Sequence, residues 1–148
     1  MKILDKNEFE KQNVFGLGTL NTAYQRFFSG DSFLNPLTKK EDGLSVSNVT
    51  FEPGCRNHYH IHHATKGGGQ LLLCTAGEGW YQEEGKKPIE LKAGSVILIK
   101  AGIKHWHGAK KDSYFSHIAI ALPGENISTE WLEEVSEEEY SKLEEETK

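Results

Sequence analysis

The chain is poor in cysteine. Its two thiols, Cys55 and Cys74, stand far apart and form no C-x-x-C pair. Two cysteines make no disulfide framework, so they read as reduced thiols of a cytoplasmic protein. A long apolar run is missing too. The opening Met1-Lys-Ile-Leu-Asp5 is too polar and too short for a signal peptide or a membrane span, and the expected location is the cytoplasm, away from membranes. Nor is there a surplus of basic residues: 17 Lys and Arg stand against 22 Asp and Glu, for a formal net charge of −5. Phosphate contacts need clustered Lys and Arg. The pairs Lys39-Lys40, Lys86-Lys87 and Lys110-Lys111 read as solubilising loop residues, and a nucleic-acid partner is not expected. Internal repeats and low-complexity segments are absent as well.

What is present points to β-structure. The 148 residues suit one domain with a real core. Fifteen glycines, seven Phe, five Tyr and three Trp favour many short strands between tight turns. From Leu44 the alternation is strong. Leu44-Ser-Val-Ser-Asn-Val-Thr-Phe51 reads as a half-buried strand closed by Glu52-Pro-Gly54. Further strands are expected at 58–62, 70–75, 80–84, 88–91, 95–100 and 114–122. Turns are expected at Gly67–Gly69, Ala76–Gly79, Gly85–Lys87, Ala93-Gly94 and Ala101-Gly102. Such spacing indicates a closed barrel or sandwich. Leu71–Leu73 and Val96–Ile99 are apolar on both faces, so one face needs cover from the arm, the tail or a partner subunit, and a homodimer is expected.

Residues 1–40 are weakly patterned and read as an arm packed on a barrel of residues 41–124, with Phe27, Phe28, Phe33 and Leu34 as anchors. Residues 125–148 read as a helical segment of the same structural domain. Ser136-Glu-Glu-Glu139 is a capping-box pattern, with Trp131, Leu132 and Val135 facing the barrel and the acidic run facing solvent.

Chemistry concentrates in the histidines. All seven lie between His58 and His117. Side chains alternate along a strand, so His60 and His62 share a face, and His105 and His107 do likewise if that stretch is extended. Neutral imidazole is the commonest metal ligand. Two H-x-H pairs, each following a Gly turn, read as a metal centre in preference to ordinary surface histidines. His63 has the wrong parity and His58 sits too far along the strand. His107, near the metal, reads either as a proton carrier or as a hydrogen-bonding neighbour or fifth ligand. Parity alone does not place His117, although the Phe115-His117-Ala119 face is the slimmer one. Trp80, Tyr81 and Trp106 read as core or interface.

Gly54-x5-His60-x-His62, Gln70 and Gly77, followed by Gly94-x5-Lys100-x-Gly102-x2-His105, resemble the paired motifs of the cupin superfamily, over about residues 48–122. Departures are Gln70 in place of a Glu, Lys100 in place of a Pro, and Ala109 where an Asn often stands. Val49–Gly54, Gln70, Thr75–Gly77, Lys104–Ala109 and Ser116–Ile120 further resemble small manganese cupins with hydroxynitrile lyase activity, and cupins associated with carboxymuconolactone decarboxylase. The resemblance implies an all-β, single-domain jelly-roll β-barrel with short C-terminal helices. It implies one divalent metal ion, manganese first, with iron, nickel, zinc or cobalt as alternatives, held by His60, His62, Gln70 and His105. Gln70 reads alternatively as a residue packed behind the ligands. His107 and His117 correspond to the two further histidines of that site and are the candidate catalytic residues.

Three functions fit: a metal-dependent lyase or related enzyme on a small hydroxyl or carbonyl substrate, an iron-dependent oxygenase, or a non-enzymatic binder of a metal or small ligand.

Overall fold

The computed structural model describes residues 1–146. Helix α1 (Lys6–Gln12) precedes β1 (Thr19–Leu20), β2 (Phe28–Ser29) and β3 (Ser32–Pro36). Then come β4 (Val46–Phe51), β5 (Arg56–Asn57), β6 (His60–His63), β7 (Lys66–Gly67) and the long β8 (Gln70–Glu83). β9 (Ile89–Lys92), β10 (Val96–Ile99), β11 (His105–Ala109) and β12 (Phe115–Ala121) follow. The chain ends through β13 (Gly124–Glu125), β14 (Ser128–Trp131), α2 (Glu137–Ser141) and α3 (Leu143–Glu146). The expected all-β barrel with short terminal helices is formed.

Every pairing is antiparallel, and the sheet curls into two faces that share β8. One face runs β1-β3-β4-β12-β8-β10. The other runs β2-β5-β11-β8-β9, with β6 on the His105 end of β11 and β14 beyond it. The turn expected at Ala76–Gly79 is not formed: β8 passes straight through it. Its glycines serve close approach instead of reversal. A Cβ at Gly77 would run into the Tyr114 carbonyl, and one at Gly79 into the Gly108 carbonyl.

β8 also carries a bulge. Ser116 lies opposite Ala76 and His117 opposite Cys74, which leaves Thr75 as the extra residue. Bulges bend a strand and reverse its side-chain parity beyond them. Leu72 and Cys74 therefore point inward before the bulge and Tyr81 after it, while Trp80 points outward. The interior holds Val49, Phe51, Leu72, Tyr81, Leu91, Ile99 and Phe115. The outer side of the second face carries Tyr59, Trp80 and Trp106, buried under Val135, Tyr140 and Leu143 of the tail. Each such burial contributes about 1.5–3 kcal/mol. Trp80, Tyr81 and Trp106 are thus core, as expected.

Both chain ends differ from expectation in one respect. The first forty residues do more than pack, because β1 and β3 extend one face and β2 extends the other. Asn13 Nδ2 donates to Thr50 Oγ1 at 3.0 Å and Asn48 Nδ2 donates to Asn13 Oδ1 at 2.8 Å, so the arm covers the outside of β4. At the tail, helix was expected from Ser128, yet Ser128–Trp131 is strand β14, paired only with β6. Ser136 does cap α2, accepting from the Glu139 N–H at 3.1 Å. The Glu139 carboxylate does not close the capping box but accepts from Tyr59 Oη at 2.7 Å. Buried Arg56 clamps the tail, donating to the Val135 carbonyl at 2.8 Å and pairing with Glu137 at 3.0 Å.

The face of β10 has no such cover: Val96 is 61% exposed and Leu98 57%, beside half-buried Leu73 and Leu71. Cys55 and Cys74 are buried and unpaired. Burial pushes the Cys74 thiol up to about 12. Among the described residues no helix is long and apolar enough to cross a membrane.

Candidate metal centre

β6 and β11 lie antiparallel with His105 opposite His60. One nitrogen each of His60, His62 and His105 lies within 4.8 Å of the others. Their Nδ1 atoms face away from the cluster into hydrogen-bond partners. His60 Nδ1 meets the His58 carbonyl at 2.8 Å, His105 Nδ1 the Ile103 carbonyl at 2.9 Å, and His62 Nδ1 the Thr129 hydroxyl at 3.2 Å. A carbonyl only accepts, so Nδ1 of His60 and His105 carries the proton and their Nε2 keeps its lone pair. Among the described residues His62 Nε2 and His105 Nε2 are buried with no hydrogen-bond partner, and so is Gln70 Oε1.

Orphaned buried acceptors are costly unless something else satisfies them. Three imidazole nitrogens and an amide oxygen are the donor set of a divalent transition metal, so these residues fit the metal that the resemblance implies. Electrostatics agree, because ligation needs neutral imidazole. Burial, then the neighbouring His105, holds His60 well below the ordinary histidine value, and burial pulls His105 down to about 4. Burial also lowers His62, against the opposing effect of the Gln70 amide beside it.

Gln70 reaches this position through the glycine loop. Gly67, Gly68 and Gly69 have φ of 63°, 77° and 96°, a left-handed run that side chains disfavour. Behind it Gln70 is locked between Ile99 of β10 and Ala121 of β12. Gln70 also lines a cavity of about 600 Å³ together with Leu34, Val49, Ala119 and Ala121, and Ser47, Lys39 and Lys40 belong to its polar lining. The Phe115-His117-Ala119 face of β12 is therefore the inner one.

His107 and His117 lie fully inside, their ring centroids 4.8 Å apart. His107 Nδ1 and His117 Nε2 are 3.1 Å apart. Burial, with His117 next, holds His107 well below the ordinary value, and burial pulls His117 down to about 3. His63 is exposed and pairs with Glu130 at 2.7 Å, while the His58 ring lies edge-on to Phe27. The structure thus gathers His60, His62, Gln70 and His105, sets His107 and His117 side by side within the barrel, and leaves His58 and His63 out.

The cupin domain family matches residues 47–120. The chain belongs to the cupin family. It is 38% identical, over 116 residues, to a protein of Granulicella tundricola called (R)-mandelonitrile lyase, covering 77% of this cupin and 86% of that protein. Among solved structures, a cupin-like protein of Thermotoga maritima superposes with a TM-score of 0.75 at 39% identity, covering 88% of this chain and 96% of that one. A double-stranded β-helix protein of Klebsiella pneumoniae gives a TM-score of 0.58 at 21% identity over 70% of this chain and 85% of that one, a likeness of fold alone.

Three residues beside these histidines carry no mark of that place in the sequence, Trp131 having been expected only to face the barrel. Thr129 holds His62 from β14, where helix was expected. Trp131, opposite His60 in the same pairing, has its ring 4.6 Å from the His60 ring and stacks on Phe27 at 4.6 Å. Asn57 contacts His107 from β5. Only the fold brings them to the histidines.

Proposed function

We propose that this cupin is a metal-dependent lyase for a small substrate bearing a hydroxyl or carbonyl oxygen, with cyanohydrin cleavage or formation as its reaction. One arrangement supports this most: the Nε2 atoms of His62 and His105, unpartnered among the described residues and grouped with His60, and the likewise unpartnered oxygen of Gln70, whose amide lies against His62 and which also lines a cavity. The 38% identity to a protein called (R)-mandelonitrile lyase adds the reaction type. His60, His62, Gln70 and His105 would hold one divalent ion, manganese first, with iron, nickel, zinc and cobalt open to the same donors. Bound by neutral donors, the ion keeps its full charge and supplies Lewis acidity to a hydroxyl or carbonyl oxygen.

The chain's own part is to bind the substrate, keep water out and move a proton. Leu34, Val49, Ala119 and Ala121 offer an apolar wall to the substrate's carbon part. His107 takes the hydroxyl proton as the carbon–carbon bond to cyanide breaks, and returns it to cyanide, leaving an aldehyde and hydrogen cyanide. His117, hydrogen-bonded to His107, steadies that ring. Synthesis is the same path reversed. A second copy of the chain covers the bare β10 face, as a homodimer, and a reducing cytoplasm suits the two buried thiols.

Elemental analysis of the purified protein beside a His60→Ala, His105→Ala double variant tests the centre. Stoichiometric metal in the first and none in the second is expected. Turnover of cyanohydrins, or of small aldehydes with cyanide, is then expected from the loaded protein. Oxygen uptake by the iron-loaded form without lyase turnover would replace this reading with an oxygenase. A tight ligand recovered unchanged would replace it with a binding protein.

A further inference from the structure

The hydrogen bonds around His107 have a direction that one backbone group fixes. The His107 N–H donates to Asn57 Oδ1 at 2.9 Å. A backbone N–H is only ever a donor, so the Asn57 amide cannot be turned over: its oxygen faces that N–H and its NH2 faces the ring. Asn57 Nδ2 lies 3.3 Å from His107 Nε2. An amide NH2 can only donate, so His107 Nε2 must be the bare nitrogen and Nδ1 must carry the proton. His107 Nδ1 then donates to His117 Nε2 at 3.1 Å. His117 Nε2 is bare in turn, and its proton sits on Nδ1, a buried atom with no hydrogen-bond partner among the described residues. A chain of three side chains, Asn57 to His107 to His117, thus runs in one direction from a single fixed point.

We infer that Asn57 is a positioning residue that sets the tautomers of His107 and His117, presenting His107 Nε2 as a proton acceptor and Nδ1 as a donor to His117. Its value for catalysis rests on the lyase reading above. In that reading Nε2 is the nitrogen that takes the substrate's hydroxyl proton, and the Asn57 NH2 occupies it until a substrate O–H replaces it. The other tautomer would offer N–H where the reaction needs a lone pair. The same geometry sets His107 apart from the metal ligands, because both of its ring nitrogens are engaged within this chain.

Long-range nitrogen–proton NMR spectra of the histidine rings test this on the full chain loaded with zinc, whose closed d shell leaves the signals unbroadened. In the unaltered protein His107 and His117 are both expected to show a bare Nε2 and a protonated Nδ1. Asn57→Asp keeps the acceptor for the His107 N–H but turns the ring-facing donor into an acceptor. The expected result is a shift of His107 Nε2 to the protonated position, with the His117 pattern altering alongside it. A part that merely fills space would not couple the two rings. A protonated His107 Nε2 in the unaltered protein, or an unchanged bare Nε2 in Asn57→Asp, would overturn the inference. If Asn57→Asp does not fold, Asn57→Leu keeps the volume and removes both hydrogen bonds. It is expected to replace the single tautomer of His107 by two, and an unshifted single form would overturn the assignment. The spectra need no substrate. A protein with these tautomers and no lyase turnover would end the functional reading and leave Asn57 as the residue that orders the pair.

Discussion

Single side chains at the metal centre work through what holds them. The Thr129 hydroxyl hydrogen-bonds His62 from behind, at 3.2 Å from Nδ1. Losing such a partner weakens a metal site about 10–100-fold. Thr129→Val keeps the shape and removes the hydroxyl, so metal affinity measured by competition with a chelator is expected to fall within that range; unchanged affinity would deny Thr129 this part. A second expectation concerns acid. Burial pulls His105 down to about 4 and His117 to about 3, against an unfolded value of about 6.5. The unfolded chain therefore takes up protons first as pH drops below about 6.5, and folding stability falls by about 1.4 kcal/mol per pH unit for each group until the folded value is reached. The urea midpoint of the metal-free protein should thus be lower at pH 5 than at pH 7, and a flat profile would contradict the buried neutral imidazoles. At this scale the sequence was informative about which histidines come together: the two-residue spacing marked His60 and His62 as sharing a face, because parity is local. Thr129 and Asn57 could not be found that way, since they reach the histidines only through pairings distant in the chain.

Elements place those side chains, and β8 is the element on which the barrel turns. Its bulge at Thr75 and its glycines let one strand serve both faces. Gly77 has φ of 74° and sits against the Tyr114 carbonyl. Gly77→Ala combines a left-handed side chain with a backbone clash, and a loss of roughly 3 kcal/mol or more in chemical denaturation is expected; a loss under about 1 kcal/mol would mean that the corner yields to a side chain. The strands themselves were largely legible, because alternation from Val46 to Phe51 and glycine between the runs are local signals. Two errors have physical causes. Ala76–Gly79 looks like a turn because glycine serves tight reversal and close packing alike. Ser128–Trp131 looks helical because the Glu-rich run beyond it dominates the composition, whereas pairing with β6 decides its state.

For the whole molecule, the uneven cover of the first face matters most. The arm blankets β4, while β10 at the opposite edge shows Val96 and Leu98 to solvent. Edge strands with apolar faces invite pairing with another chain. Leu98→Lys should therefore shift sedimentation from dimer to monomer while leaving metal content intact; a protein that is monomeric before the change would remove the second copy from the proposal. The two-sided apolar pattern of β10 was plain from the sequence, but which side the arm would cover was not, because that depends on the Asn13, Asn48 and Thr50 contacts. Trp131 has a consequence of another kind. Of the three tryptophans, Trp80 and Trp106 lie together under the tail, and Trp131 alone stands against a ligand ring, His60, at 4.6 Å. The molecule therefore carries a built-in optical gauge: light emitted from Trp131 originates one ring away from the proposed seat of the ion, so filling and emptying of that seat would be followed in real time without a label.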